Sequence, residues 1–224
     1  MTDILYHWPD AARFGKTIPK TKFYEQGTVS AAVRARFVAE VEGITWAYKL
    51  AESTINLRGS SEVPEIQILR VTGKAADVND TVLAAIDKAI KQPVIFEVAT
   101  AQEVRMTATL KTGVPGGRYY STQWSSEDRR LPLPPGISLS NLYAALLEPM
   151  LPIRIRGGEG LWDVADRLAA ISRLEREIAT LERKLKVEPQ LNRKVELRRI
   201  LMTQQGRLVD LTDSTTASTM TKAN

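Results

Sequence analysis

From residue 181 to 199 the chain reads LERKLKVEPQLNRKVELRR, a stretch crowded with cationic side chains. Across 183–199, Arg183, Lys184, Lys186, Arg193, Lys194, Arg198 and Arg199 are opposed only by Glu188 and Glu196, so seven minus two leaves an excess of five. The formal net charge of the whole chain is also +5, and the remaining basic and acidic residues cancel, 24 against 24. Clustered charge makes a local field that dispersed charge does not. Three uses fit it: contact with a phosphate backbone, docking of a protein partner or a second copy, or a solvated turn with no ligand. Five net charges meeting phosphates would give a log–log salt slope of about −4 to −5. The stretch holds no aromatic side chain to stack on bases, which favours duplex backbone over single-strand readout.

Two other segments carry residues able to do chemistry. In TIPKTKFYEQG (17–27), Lys20, Lys22 and Tyr24 interleave charge with aromatic surface, as loop-borne binding segments do. The alternative is that Ile18 and Phe23 pin an N-terminal arm to the domain and leave the lysines wet. In EIQIL (65–69), Glu65 is a carboxylate two residues from Gln67. TGVPGG (112–117) has the glycines of a phosphate loop but lacks Gly-Lys-Ser/Thr, and reads as a hairpin turn. With no cysteine and the single histidine His7, the chain offers no disulfide framework, thiolate nucleophile or cysteine metal site. No cofactor is implied by the residues.

These residues must be held by recognisable elements. At 224 residues with 43% hydrophobic content, the chain can bury a sizeable core. No apolar run reaches the ~20 residues of a membrane span, and the first residues lack a signal-peptide pattern, so the expected compartment is the cytoplasm, with no membrane partner. Residues 1–28 read as irregular. Ser30 then caps a helix whose stripe is Val33, Phe37 and Val41, ended by Gly43. ITWAYKL (44–50), STINL (53–57) and EIQILRV (65–71) read as three strands. A helix follows with Asp77 as candidate cap and Val78, Val82, Ile86 and Ala89 on one face. PVIFEVA (93–99) reads as a central strand, and EVRMTATLK (103–111) alternates like a half-buried antiparallel one. GRYYSTQW pairs with it, and LPLPPG (131–136) leads to a short helix around LSNLYAALL.

From Leu161 the pattern changes. Leu161, Val164, Leu168, Ile171, Leu174, Ile178, Leu181 and Leu185 step near a heptad seam, one helix of about 39 Å at ~1.5 Å per residue. Pro189 suits a first helical turn, so the chain breaks near Glu188 and restarts. The second helix carries Leu197, Leu201, Leu208 and Leu211 at seam spacing, with Gln204 the polar exception. So short a break predicts an antiparallel hairpin. The expected architecture is α/β (α+β), with a mixed-sheet domain at 1–150, a coiled-coil hairpin at 151–212 and a disordered tail at 213–224.

The order from 30 to 99, helix–strand–strand–strand–helix–strand, resembles the core of the restriction-endonuclease-like fold. There an acidic residue on the second strand and Glu-x-Lys on the third hold magnesium. The corresponding positions here are Asn56 and Glu65-Ile66-Gln67: asparagine is a poor magnesium ligand and Gln67 lacks the lysine's charge. A magnesium-dependent nuclease with Glu65 as metal ligand is thus an alternative with an incomplete ligand set.

Over most of the chain the sequence resembles a bacterial family, domain of unknown function 4391. The matching segments are IPKTKFYE (18–25), ITWAYKLAESTINL (44–57), EIQIL (65–69), DKAI (87–90), STQW (121–124), LSNLYAALLEPML (139–151) and the basic stretch itself. The resemblance implies a small cytoplasmic protein encoded beside helicases and DNA methyltransferases in restriction-like and phage-defence gene clusters. It brings no catalytic residues with it. The expected function is a non-catalytic accessory subunit that binds such a partner, duplex DNA or both through the seven basic residues. A homo-oligomer built on the seam is a third class.

Overall fold

The computed structural model describes residues 4–25, 29–74, 77–110 and 117–213. The chain divides between Pro152 and Ile153 into two compact units. The first is a mixed-sheet α+β unit, and the second is helical.

Within the N-terminal stretch expected to be irregular, residues 5–25 hold regular elements. These are β1 (Leu5–Tyr6), a 3-10 turn at Asp10–Ala12, β2 (Arg13–Thr17) and α1 (Thr21–Glu25). The cause is non-local. β1 pairs in parallel with residues 130–131, and β2 runs antiparallel to residues 45–48. Local alternation therefore says little about either. α2 (Ala31–Glu40) begins as expected, with the Ser30 hydroxyl accepting from the Val33 N–H at 3.3 Å. It stops at Glu40 rather than Gly43, because Val41 already belongs to β3 (Val41–Ala51).

The strand expected at 53–57 is not formed. Residues Glu52–Ile55 make the one-turn helix α3 instead. The Thr54 hydroxyl lies 3.0 Å from the Lys49 and Ala51 carbonyls and 2.9 Å from the Ala51 N–H, folding the chain back on itself. Asn56 closes the turn in the left-handed region at φ 54°, which a short polar side chain tolerates. The order from 30 to 99 is thus helix, strand, one-turn helix, strand, helix, strand, and the nuclease-like run of three strands is lost.

β4 (Glu65–Gly73), α4 (Asp80–Lys88) and β5 (Val94–Ala99) form a β–α–β unit whose strands pair in parallel. Asn79 caps α4, accepting from the Thr81 N–H at 3.0 Å. Asp77, the expected cap, instead holds Arg105. β6 (Glu103–Ala108) is antiparallel to β5. It is buried on both faces from Val104 to Ala108, not half-buried, and Arg105 and Thr107 are covered too. β7 (Tyr120–Ser121) and β8 (Ser125–Ser126) pair with β6, while the turn read at 112–117 falls mostly outside the described residues. β9 (Arg130–Leu131) completes the pair with β1, and α5 (Leu139–Leu147) follows with Ser138 as cap.

The main sheet runs β2-β3-β4-β5-β6-β7, with β8 beside β6. Leu69, Val71, Phe96 and Val98 pack with Phe37 of α2 and with Val82, Leu83 and Ile86 of α4 into the core. Strand alternation sends Ile66, Ile68, Arg70, Ile95 and Glu97 to the other face.

In the second unit, α6 (Leu161–Val187) and α7 (Leu191–Thr212) pack together as an antiparallel hairpin. Pro189 stands before the Gln190 cap and outside α7, where its missing N–H costs nothing. On α6, Val164, Leu168, Ile171 and Ile178 are buried. On α7 the seam leucines are only half-buried, since a lone hairpin gives each helix one partner. Among the described residues no helix is long and apolar enough to cross a membrane.

Candidate functional site

The seven basic residues meet at one end of the hairpin, on the last turns of α6 and the first turns of α7. Lys194 is half-exposed and the other six are exposed. Arg183, Lys184 and Lys186 sit at the C-terminal end of α6, where a cation complements the helix dipole. Arg183 also leans on its own helix, 3.3 Å from the Ala179 carbonyl. These three satisfy the bland expectation for a helix end.

The α7 residues do not. Arg193 and Lys194 follow the Gln190 cap within the first turn, which has no acidic residue. A cation there opposes the dipole, at a cost of about 0.3–1 kcal/mol each. Lys194 and Arg198 are like charges one turn apart, a further ~0.2–0.5 kcal/mol against the helix. Among the described residues, none of the seven lies within salt-bridge distance of a carboxylate. Glu188 accepts from the Gln190 N–H at 3.0 Å and Glu196 lies one turn from Arg193, but neither forms an ion pair with the cluster, which keeps its excess of five.

At the opposite end, two arginines are engaged by acceptors of the hairpin itself. Arg167, 6% exposed, donates from Nε and Nη2 to the two Glu159 oxygens at 2.6 and 2.7 Å. It also reaches the Leu211 carbonyl at 2.9 Å and the Arg154 carbonyl at 2.7 Å. Arg156 donates to the Asp210 and Asp213 carbonyls at 2.7 and 2.8 Å. The last carbonyls of α7, which have no partner within the helix, are thereby capped by guanidinium groups. Burial alone would raise the Glu159 carboxyl, but the hydrogen bonds from Arg167 and the Arg156 N–H outweigh it and hold it below its ordinary value. Between base and tip, Gln204 faces a hollow of about 430 Å³ lined by residues of both helices, including Leu174, Arg207 and Leu211. Its Oε1 is buried without a hydrogen-bond partner among the described residues.

The secondary candidates resolve differently. Lys20 donates to the Val41 carbonyl at 2.7 Å, so its charge is spent on structure. Tyr24 meets Phe37 edge-on at 5.7 Å and carries the Arg34 guanidinium over its ring at 4.9 Å. Phe23 is buried beside Phe37 with Ile18 packed nearby, as the pinned-arm reading expects. Lys22 remains exposed.

Glu65 stands at the start of β4, with Lys49 of β3 2.5 Å from one oxygen and the Gln67 amide donating to the other at 2.6 Å. Gln67, fully buried, in turn accepts from Trp46 Nε1 at 2.7 Å. Lysine, carboxylate and amide form a closed chain, and a metal at Glu65 would have to displace Lys49. Among the described residues, no group of three or more His, Cys, Asp or Glu is arranged to hold a metal ion.

The sheet also holds a charged centre that sequence reasoning passed over. Glu97, 2% exposed, accepts from Trp8 Nε1 at 2.7 Å and from both Nη atoms of Arg130 at 2.6 and 3.1 Å. Arg70 lies 3.7 Å from it and forms a bidentate pair with Glu127 at 2.5 and 2.8 Å. The Arg70 hydrogen bond chiefly holds the Glu127 carboxyl below its ordinary value. Two carboxylates and two guanidiniums cancel, and every oxygen is occupied, so the centre is built to hold β1, β4, β5 and β9 together. Glu97 interrupts an otherwise apolar strand, and a charge there must be paired; that was the available signal. Arg105 in β6 is a parallel case, held by Asp77 and the Ser121 hydroxyl with Trp124 against its guanidinium.

Fold and site define an α+β protein carrying a helical hairpin with a free cationic end. The chain belongs to the family described as domain of unknown function (DUF4391), whose sequence model matches residues 7–208. Neither the curated proteins nor the solved structures contain a match.

Proposed function

We propose that the chain is a non-catalytic accessory subunit, and that it binds a protein partner, duplex DNA or both through the hairpin tip. The observation that carries this is the placement of Arg193 and Lys194 in the first turn of α7, against the dipole and with no acidic residue in that turn. A local rule broken with no structural compensation marks a position kept for something outside the chain. The family resemblance supplies the setting: a cytoplasmic bacterial phage-defence or restriction–modification assembly, with a helicase or DNA methyltransferase as the expected neighbour.

The test is capture of partners from the native host by the tagged full chain, with and without added nuclease. It is run beside a variant carrying Arg183→Glu, Lys184→Glu, Lys186→Glu and Arg193→Glu. A helicase or methyltransferase retained after nuclease treatment and lost in the variant is the expected result for a protein partner. If DNA is the direct ligand, capture depends on nucleic acid and duplex binding falls with salt at a log–log slope of about −4 to −5. Undiminished binding by the variant sinks the proposal.

A further inference from the structure

α7 carries a second apolar stripe that the hairpin leaves uncovered. Leu191, Val195, Met202 and Val209 are 74%, 59%, 72% and 53% exposed. They step by 4, 7 and 7 residues, which is heptad spacing with Arg198 and Gln205 at the intervening seam positions. At about 100° per residue the stripe lies roughly 135° around α7 from Leu197, Leu201, Leu208 and Leu211, the side chains that face α6. Four large apolar side chains in line on solvent are unlike the scattered exposed hydrophobics of an ordinary surface. Lys194 and Arg199 flank the stripe and Arg198 stands on it between Val195 and Met202, and among the described residues none of the three lies within salt-bridge distance of a carboxylate.

We propose that this face seats one helix of a partner protein, with an apolar heptad seam bordered by aspartate and glutamate. The proposal rests on the accessory-subunit reading and names the chemistry of its partner. The heptad spacing sets the occupant's seam, and the cationic border sets its charge. A second copy fits worse: an antiparallel α7 pair centred between Arg198 and Met202 brings each Arg199 toward its own mate, like against like. Duplex DNA meets the cations but gains nothing from leucine, valine and methionine.

The test uses the full chain and a labelled synthetic helix with leucine at its a and d positions and glutamate at e and g, followed by fluorescence anisotropy. A twin peptide carries lysine at e and g. The like charges on each peptide oppose its self-pairing. The expected result is at least tenfold tighter binding of the glutamate peptide, lost at least tenfold in a Val195→Asp/Met202→Asp variant with an unchanged melting temperature. Equal binding of both peptides, or unchanged binding by the variant, overturns the proposal. So does a full chain that is dimeric by light scattering and becomes monomeric in that variant, because the stripe then belongs to a second copy. The four-site tip variant spares the stripe together with Lys194, Arg198 and Arg199. If the tip variant loses the host partner or DNA while the stripe variant keeps it, the stripe inference fails and the accessory-subunit reading stands. If both variants keep every partner, both fail.

Discussion

The two ends of the hairpin use the same residue type in opposite ways. At the base, Arg156 and Arg167 are saturated with carboxylate and carbonyl acceptors. At the tip, Arg193, Arg198 and Arg199 have no such partner, and part of the cluster opposes its own helix dipole. The same guanidinium fastens the fold at one end and stands without an ion pair at the other, and the difference lies in the acceptors the fold places beside it. The base holds the hairpin closed, while the tip is carried at a small cost in stability.

The largest test of this contrast is Arg167→Ala. It strips the partner from a nearly buried carboxylate and uncaps the Leu211 carbonyl, and should destabilise the helical unit by about 3–5 kcal/mol. Urea unfolding of the full chain, followed by helical circular dichroism, measures it; a loss below 1 kcal/mol would remove the base as the fastening point. Next, Gln204→Leu removes an unsatisfied buried oxygen from the seam and should stabilise by about 1–3 kcal/mol in the same assay. A gain accompanied by a new oligomeric state would mean that the glutamine sets pairing specificity rather than merely weakening it.

Acid should act on the base and spare the tip. Glu159 is held below its ordinary value of 4.5, so its contribution is present above that value and disappears as pH falls through the lower, folded one. Thermal melts from pH 7 to pH 3 should decline through this range, and Glu159→Gln should flatten the decline. A variant with the wild-type slope would assign acid sensitivity elsewhere, Glu127 being the next carboxylate held low. The smallest effect has the most telling sign. Arg193→Glu should stabilise α7 by about 0.3–1 kcal/mol by reversing an unfavourable dipole contact, while weakening binding. Destabilisation would make the tip cations structural.

Elements with their own local signals were legible from residues alone. Ser30 opening α2, the apolar run of β5, the seam of α6 and the break before α7 all depend on neighbours within a few positions. β1 and β2 were not legible, because their pairing partners lie about 125 and 30 residues away in sequence. STINL has strand-forming composition, but Thr54 turns it into a helix by bonding to backbone the pattern does not reveal. The cationic cluster was visible as a cluster. Nothing in its letters distinguishes Arg193 from Arg167, since identical side chains differ only in what the fold places beside them. Glu97 was visible as an anomaly, yet its partner Arg130 stands 33 positions away and could be found only by folding.

The link between α6 and α7 is only Glu188, Pro189 and Gln190. Closing a loop costs entropy that grows slowly with length, about 0.6 kcal/mol for each doubling. With the far end of the hairpin clamped by Arg156 and Arg167, the two helices stay aligned whatever joins them. The joint is therefore the point of the hairpin most tolerant of added, removed or rewritten residues, a clasp whose make matters little once the far end is held.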